Sequence, residues 1–213
     1  MIKPIREKWK GTMTDRERFN NQMHYKPIDR CFNMEFGYWD ENFTTWDIFI
    51  DHNIKNNYEA DIFFQFDTIK TVSGVDGLHP WFENKTIGEK DGKLIIQNGD
   101  GLIAEVPKDH HDTIPHFIKS AINSPEDWKR VKEERMRLDD PARVVDINKL
   151  KARFPDDRDY PLGVNCGSMI GKVRDMLTFE GLAYAIYDYP DMVEDMVETR
   201  CQLVELFLDQ VLP

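Results

Sequence analysis

Between residues 81 and 106 the chain changes its period. Three short β-rich pieces, WFENKTI, KLIIQ and LIAEV, are separated by Lys90-Asp91-Gly92 and by Asn98-Gly99-Asp100-Gly101. Asp-Gly and Asn-Gly pairs supply the positive-φ residues of tight hairpin turns, so the stretch reads as a two- or three-stranded antiparallel meander. On either side, apolar strand-like runs alternate with helical patterns. A meander inserted into such an alternation confines the chain to the α/β class, with a parallel sheet or barrel and helical crossovers elsewhere.

Thr14-Asp15-Arg16-Glu17 is a capping-box pattern and predicts a helix to about His24, ended before Lys26-Pro27. Residues 31–36 (CFNMEF), bounded by Gly37, read as a strand. Thr45 is expected to cap a second helix, with Trp46, Phe49 and Ile50 on one face. Residues 60–66 (ADIFFQF) are almost continuously apolar and read as a strand buried on both faces. Beyond the meander, Ser124-Pro125-Glu126-Asp127 combines an N-cap serine, an N1 proline and first-turn acids. Residues 139–159 are charged, contain Pro141 and Pro155, and read as a loop around a short helix. A third core strand is expected at 162–165 (LGVN), entering the turn Cys166-Gly167-Ser168. Helices follow from about Met169 to Leu177, from Gly181 to Tyr187 and from Asp191 onward. In the last, Val193, Val197, Cys201, Val204, Leu208 and Val211 form an amphipathic stripe.

Composition narrows the function. With 28 Lys+Arg against 39 Asp+Glu the net charge is −11, which argues against nucleic acid or an anionic membrane surface as partner. Aromatic residues make up 12% of the chain, as a packed core requires, and 213 residues are enough for a single domain. No apolar run approaches the roughly 20 residues of a membrane span, and the charged N-terminus lacks a signal's apolar segment. Three widely spaced cysteines, Cys31, Cys166 and Cys201, make no disulfide framework and point to a reducing cytoplasm.

Several runs resemble the uroporphyrinogen decarboxylase superfamily in chain order: MTDRERFNNQMHYKPIDR followed by FNMEFGYW, then INSPEDWKRVK, then YPLGVNCGSMIGKVRDMLTFEGLAYAIYDYPDMVEDMVE. The resemblance implies a (β/α)8 barrel with its site at the carboxyl ends of the strands. It implies one of two activities: decarboxylation of a porphyrinogen in tetrapyrrole synthesis, or corrinoid-dependent methyl transfer to a zinc-bound thiol. The EFGYW-like segment looks closer to the methyltransferases. Decarboxylases carry an arginine-rich RQAGRY-type segment here, where guanidiniums grip substrate carboxylates. This chain has Glu35-Phe36-Gly37-Tyr38-Trp39-Asp40-Glu41 instead, and Arg174-Asp175 near the place of a family tyrosine. The methyltransferases' zinc ligands include a His-x-Cys pair, which none of the six histidines forms. No metal or cofactor is therefore expected in this chain, while zinc and a corrinoid (methylcobamide) belong to the complete parent.

Site candidates follow from strand ends. Glu35 and Tyr38 end the expected first strand, Glu35 as a base or a cation's partner, with a salt-bridged rim carboxylate as the plain alternative. The resemblance aligns Asp67 with an aspartate at the end of the second strand that accepts N–H groups of a ligand; the alternative is a turn aspartate. Ser168 follows the third strand as a substrate contact or a helix cap, and Cys166, without a histidine nearby in sequence, reads as packing. Arg174 reaches an anionic substrate group or pairs with Asp175 or Glu180. His110, His111 and His116 have spacings that do not align three ligands on a helix and read as an exposed loop. Trp39 and Trp81 read as packing residues.

Three strands cannot close a barrel that typically needs about 250 residues. The expectation is one domain over 1–213 that forms the N-terminal portion of a larger or split barrel, the alternative being a catalytically inactive fragment that acts only with a partner chain. Its partners would be a small-molecule substrate, a corrinoid protein, and a C-terminal half-barrel chain or a second copy as homodimer.

Overall fold

The computed structural model describes residues 2–108 and 115–212 and has a mixed α/β architecture. Thr14 opens α1 (Asp15–Met23) with a reciprocal capping box: its hydroxyl accepts from Glu17 N–H at 3.1 Å, and the Glu17 carboxylate accepts from Thr14 N–H at 2.9 Å. Two short helices follow, α2 (Asn42–Thr45) and α3 (Asp47–Asp51), then α4 (Asn57–Phe64) and β1 (Lys70–Val72). The insert supplies β2 (Lys85–Lys90), β3 (Lys93–Gln97), β4 (Ile103–Pro107) and β5 (His116–Lys119). Helix α5 (Pro125–Arg135) starts at Ser124, whose hydroxyl accepts from Asp127 N–H at 3.2 Å. A 3-10 turn (Pro141–Arg143), α6 (Ile147–Arg153), β6 (Leu162–Val164), α7 (Met169–Leu177), α8 (Phe179–Asp188) and α9 (Pro190–Val211) complete the order. No helix among the described residues is long and apolar enough to cross a membrane.

The chain divides into two compact units, Met1–Val72 with Lys151–Asn165 and Ser73–Leu150 with Cys166–Pro213. In the first, β1 and β6 run parallel, with Lys70, Thr71 and Val72 opposite Leu162, Gly163 and Val164. Its core gathers Phe43, Phe49, Ile54, Ala60 and Phe63, with Tyr38 and Phe64 packed against them. Phe49 is fully buried, which stabilises the fold by about 1.5–3 kcal/mol. Beside this core lies an ionic web around Arg18, which is inaccessible to solvent. Arg18 donates to both oxygens of Asp29 (2.8 and 3.0 Å), to Asp15 (2.8 Å) and to the carbonyls of Lys10 and Met13. Gly11 has φ +82°, and a Cβ there would stand 2.0 Å from Asp29 Oδ2, so only glycine fits.

Two of the three expected strands are not strands. Residues 60–66 belong largely to α4: Asn56 caps it by accepting from Glu59 N–H at 3.0 Å, and Ala60 and Phe63 face the core. A short apolar run is compatible with either period, and the cap decides. Residues 31–36 form no ladder. Phe32 N–H donates to the Gln22 side chain, while Asn33 N–H donates to Asp67 Oδ2 and Asn33 O accepts from Asp67 N–H. Thr45 closes α2, its hydroxyl donating to Glu41 O at 2.7 Å, and does not cap the helix after it. The strand at 162–164, the α1 and α5 starts and the span of α7 are as expected.

In the second unit the insert is part of a four-stranded antiparallel sheet in the order β2-β3-β4-β5, where the sequence predicted a meander of two or three strands. Asp91 (φ 50°) and Gly92 (φ 76°) make the tight turn between β2 and β3. Trp81 and Phe82 precede the sheet, and β5 lies beyond the polar run that follows β4. The helical core joins α5, α7, α8 and α9 through Trp128, Val131, Val173, Met176, Leu182, Met196 and Leu203. Asp195 ties α9 to α5, accepting from Trp128 Nε1 at 2.7 Å and from Lys132 Nζ at 2.7 Å. The buried face of α9 is Met192, Val193, Met196, Thr199, Arg200, Leu203, Val204 and Phe207. Of the expected stripe only Val193 and Val204 are buried; Val197, Cys201, Leu208 and Val211 flank that face. Among the described residues the only parallel pairing is β1 with β6, and no barrel is closed.

Candidate functional site

Asp67 is 7% exposed and surrounded by donors. Arg30 donates to both its oxygens at 2.6 Å, Lys8 Nζ to Oδ1 at 2.8 Å and Asn33 N–H to Oδ2 at 2.8 Å. Burial pushes its pKa up, but the bonds from Arg30, Lys8 and Asn33 outweigh it and hold the carboxyl well below the usual range. The accepting role expected toward a ligand is thus taken by protein donors. Glu35 is exposed, and Oε1 accepts from Phe36 N–H at 2.8 Å. Glu35 and Asp67 do meet, lining with Tyr58, Asp61 and Lys70 an open groove of about 520 Å³. Tyr38 turns to the core instead, its ring edge-on to Phe43, Trp46 and Phe49 at 6.1, 6.2 and 5.1 Å. Burial, with Glu35 and Asp61 nearby, pushes its phenol pKa up.

Ser168 and Arg174 lie in the second unit. Ser168 caps α7, its hydroxyl accepting from Gly171 N–H at 2.9 Å. Arg174 is exposed and pairs with Asp175 through Nε (3.1 Å) and Nη2 (2.7 Å). Both take the structural alternative. His110 and His111 lie outside the described residues; His116 opens β5 with Nδ1 3.5 Å from Glu105 Oε2. Trp39 and Trp81 are 61% and 57% exposed, so neither is a core packing residue.

A different constellation stands in the second unit, on the two segments that continue from the carboxyl ends of β1 and β6. Arg200, 3% exposed on α9, donates through Nη2 to Asp76 Oδ2 at 2.8 Å and to Cys166 O at 2.6 Å. One guanidinium thus joins both segments. Arg143, also buried, fixes the first of them by donating to Val75 O (2.8 Å) and Gly77 O (2.9 Å), and to the carbonyls of Arg135 and Arg137. Burial without a bonded carboxylate lowers the Arg143 pKa.

Arg200, Asp76, Lys172, Asp100, Trp81 and Met176 line a cavity of about 50 Å³ there. Asp100 comes from the turn between β3 and β4. Asn98 Oδ1 shapes that turn by accepting from Asp100 N–H (3.1 Å) and Leu102 N–H (2.9 Å). Gly101 has φ +81°, and a Cβ there would meet the Phe82 ring at 2.9 Å. Burial pushes the Asp100 pKa up, Lys172 pulls it down, and Asp175 raises it further. Asp100 is half-buried there. Arg200 Nε is buried without an acceptor, as are the Nε atoms of Arg30, Arg135 and Arg158, exceptions to the rule that buried polar groups are paired.

Sequence reasoning passed over Arg200, Asp76, Asp100 and Lys172. The signal for Arg200 was legible: Thr199-Arg200 interrupts the apolar residues Met196, Leu203 and Val204 on the buried face of α9. Asp76 was hidden because the parallel strand lies at 70–72, not 60–66.

The mixed α/β class is what the fold itself defines. Compared with protein-family models, curated protein sequences and solved structures, the chain matches none. No three His, Cys, Asp or Glu side chains among the described residues converge as metal ligands, so the residues described do not fit the zinc site that the resemblance implies.

Proposed function

We propose that the chain forms part of a barrel enzyme of the uroporphyrinogen decarboxylase superfamily, on its corrinoid-dependent methyltransferase side. Its contribution is the wall of a substrate site at the carboxyl ends of the strands, with the remaining strands supplied by further polypeptide. The observation that carries this reading is Arg200, which binds the segments that follow both parallel strands in sequence and lines a small cavity. In this wall Arg143 and Arg200 hold the backbone, while Asp100, Lys172 and Trp81 face the small molecule.

Methyl transfer is preferred to decarboxylation on charge. A porphyrinogen's carboxylates need several free guanidiniums. Near the first unit's groove the cations Arg30 and Lys8 are bound to Asp67, and Glu35 and Asp61 add negative charge. The zinc chemistry of such enzymes has no ligand set among the described residues, and no role assigned to them depends on it.

The test uses the protein as its native locus translates it, supplied with zinc. Loss of methylcobalamin's methyl group to a thiol, followed by absorbance, is the expected activity. Carbon dioxide release from a porphyrinogen, without methyl transfer, would establish the decarboxylase reading instead.

A further inference from the structure

Helix α9 carries a row of carboxylates to which its own chain supplies no counter-charge. The exposed acids Asp191, Glu194, Glu198, Glu205 and Asp209 are spaced 3, 4, 7 and 4, which places them on one helical face. No ion pair among the described residues reaches any of the five. The helix's single base, Arg200, is buried and bonded to Asp76, and Lys132 of α5 is bonded to Asp195. Like charges at i, i+4 and acids in the last turns of a helix both work against its stability. The row therefore does nothing for α9 itself.

At its amino-terminal end this row borders a groove of about 870 Å³ with an apolar floor. Ile186 of α8 and Val193 and Val197 of α9 line it together with Asp191, Glu194 and Glu198, and no lysine or arginine does. Ile186 is 48% exposed. On the same helix Tyr184 and Tyr187 are 63% and 85% exposed, while Leu182 and Ala185 face the core. Apolar side chains left in water beside a polar rim mark a surface that binds another molecule. From Asp191 to Glu198 the groove follows α9 for about two turns, with apolar residues at i and i+4.

We propose that the α8–α9 groove docks a basic amphipathic helix of a partner protein. Apolar side chains on one face of that helix pack against Ile186, Val193 and Val197, and its lysines or arginines meet Asp191, Glu194 and Glu198 at the rim. Charge selects this occupant over the others. A second copy would bring the same carboxylates and a net charge of −11 to the face, and nucleic acid or an anionic lipid surface would be repelled in the same way. The inference uses only α8 and α9 and stands apart from the barrel reading.

The probe is a fluorescein-labelled synthetic helix of leucine and lysine, with leucines at i, i+3, i+4 and i+7, titrated with the intact protein and followed by anisotropy. Two control peptides replace every lysine with glutamate or spread the leucines around the helix. The first peptide should bind saturably and more weakly as salt is added, and neither control should bind comparably. The double change Glu194→Gln with Glu198→Gln should weaken binding about fivefold or more. Asp156→Asn with Asp157→Asn alters the net charge equally at exposed positions elsewhere, and should leave binding within about twofold. Ile186→Glu separates docking from plain attraction. It adds an acid to the groove, so charge alone would tighten binding, whereas packing on Ile186 requires binding to weaken about fivefold. Circular dichroism checks that each variant keeps its helices. No binding, equal binding of either control peptide, an equal effect of the two double changes, or tighter binding by Ile186→Glu overturns the proposal. So does a dimer, seen by sedimentation, that Ile186→Glu dissociates, since the face then belongs to a second copy.

Discussion

At the scale of single residues, buried charge is treated in opposite ways in the two units. Asp67 keeps its proton off because Arg30, Lys8 and Asn33 N–H outweigh its burial. Asp67→Asn leaves two cations, each about one-fifth exposed, without their partner. The expected loss is about 2–3 kcal/mol, below the fully buried case because of that exposure, and denaturant unfolding measures it. Glu35→Gln should change stability by less than about 0.5 kcal/mol, since Glu35 is exposed. Asp100 behaves in reverse. Its folded pKa is raised, so the folded state holds the proton more tightly than the unfolded chain, and stability falls as pH rises through the folded value. Asp100→Asn removes that penalty and should raise the melting temperature at neutral pH. A lower melting temperature at neutral pH would show that the carboxylate has a protein partner after all.

Among the elements, caps and turns were legible from the sequence and strands were not. Thr14, Ser124 and Ser168 each announce a helix because one oxygen satisfies orphan amides within three residues, a local event. Residues 60–66 defeated the pattern because apolar density alone does not distinguish a buried strand from a buried helix. The deciding residue, Asn56, stands outside the apolar run. Asn56→Ala should therefore cost about 1 kcal/mol of stability, with a matching loss of helical circular dichroism near the midpoint. The insert was legible through its Asp-Gly and Asn-Gly turns, but its role in presenting Asp100 depends on where the turn lands, which no local pattern records. Gly101→Ala forces a Cβ into the Phe82 ring at positive φ, and should cost about 1–3 kcal/mol while displacing Asp100. Thermal unfolding reads the first effect, and the fluorine resonance of 5-fluorotryptophan incorporated at position 81 reads the second.

For the molecule as a whole, the −11 net charge and the ionic web of the first unit set its response to acid. Arg18 foremost, with three backbone N–H groups, holds the Asp29 carboxyl well below the usual range despite desolvation, and Asp67 is held low beside it. Their contribution is complete above the unfolded carboxylate value of about 3.9 and declines as pH falls toward the depressed folded values. Acid titration should accordingly show stability flat near neutral pH and falling below about pH 4, with Asp67→Asn flattening the fall. The remaining question of scale is the sheet. Two parallel strands in a register of three pairs, with Arg200 bonded to Asp76 and to Cys166 O in the segments that follow them in sequence, are the arrangement on which the enzyme reading stands. A crystal structure of the protein as its native locus translates it tests this most directly. The account predicts β1 and β6 as neighbours in a closed eight-stranded parallel barrel. An open sheet with no further parallel strands would contradict it.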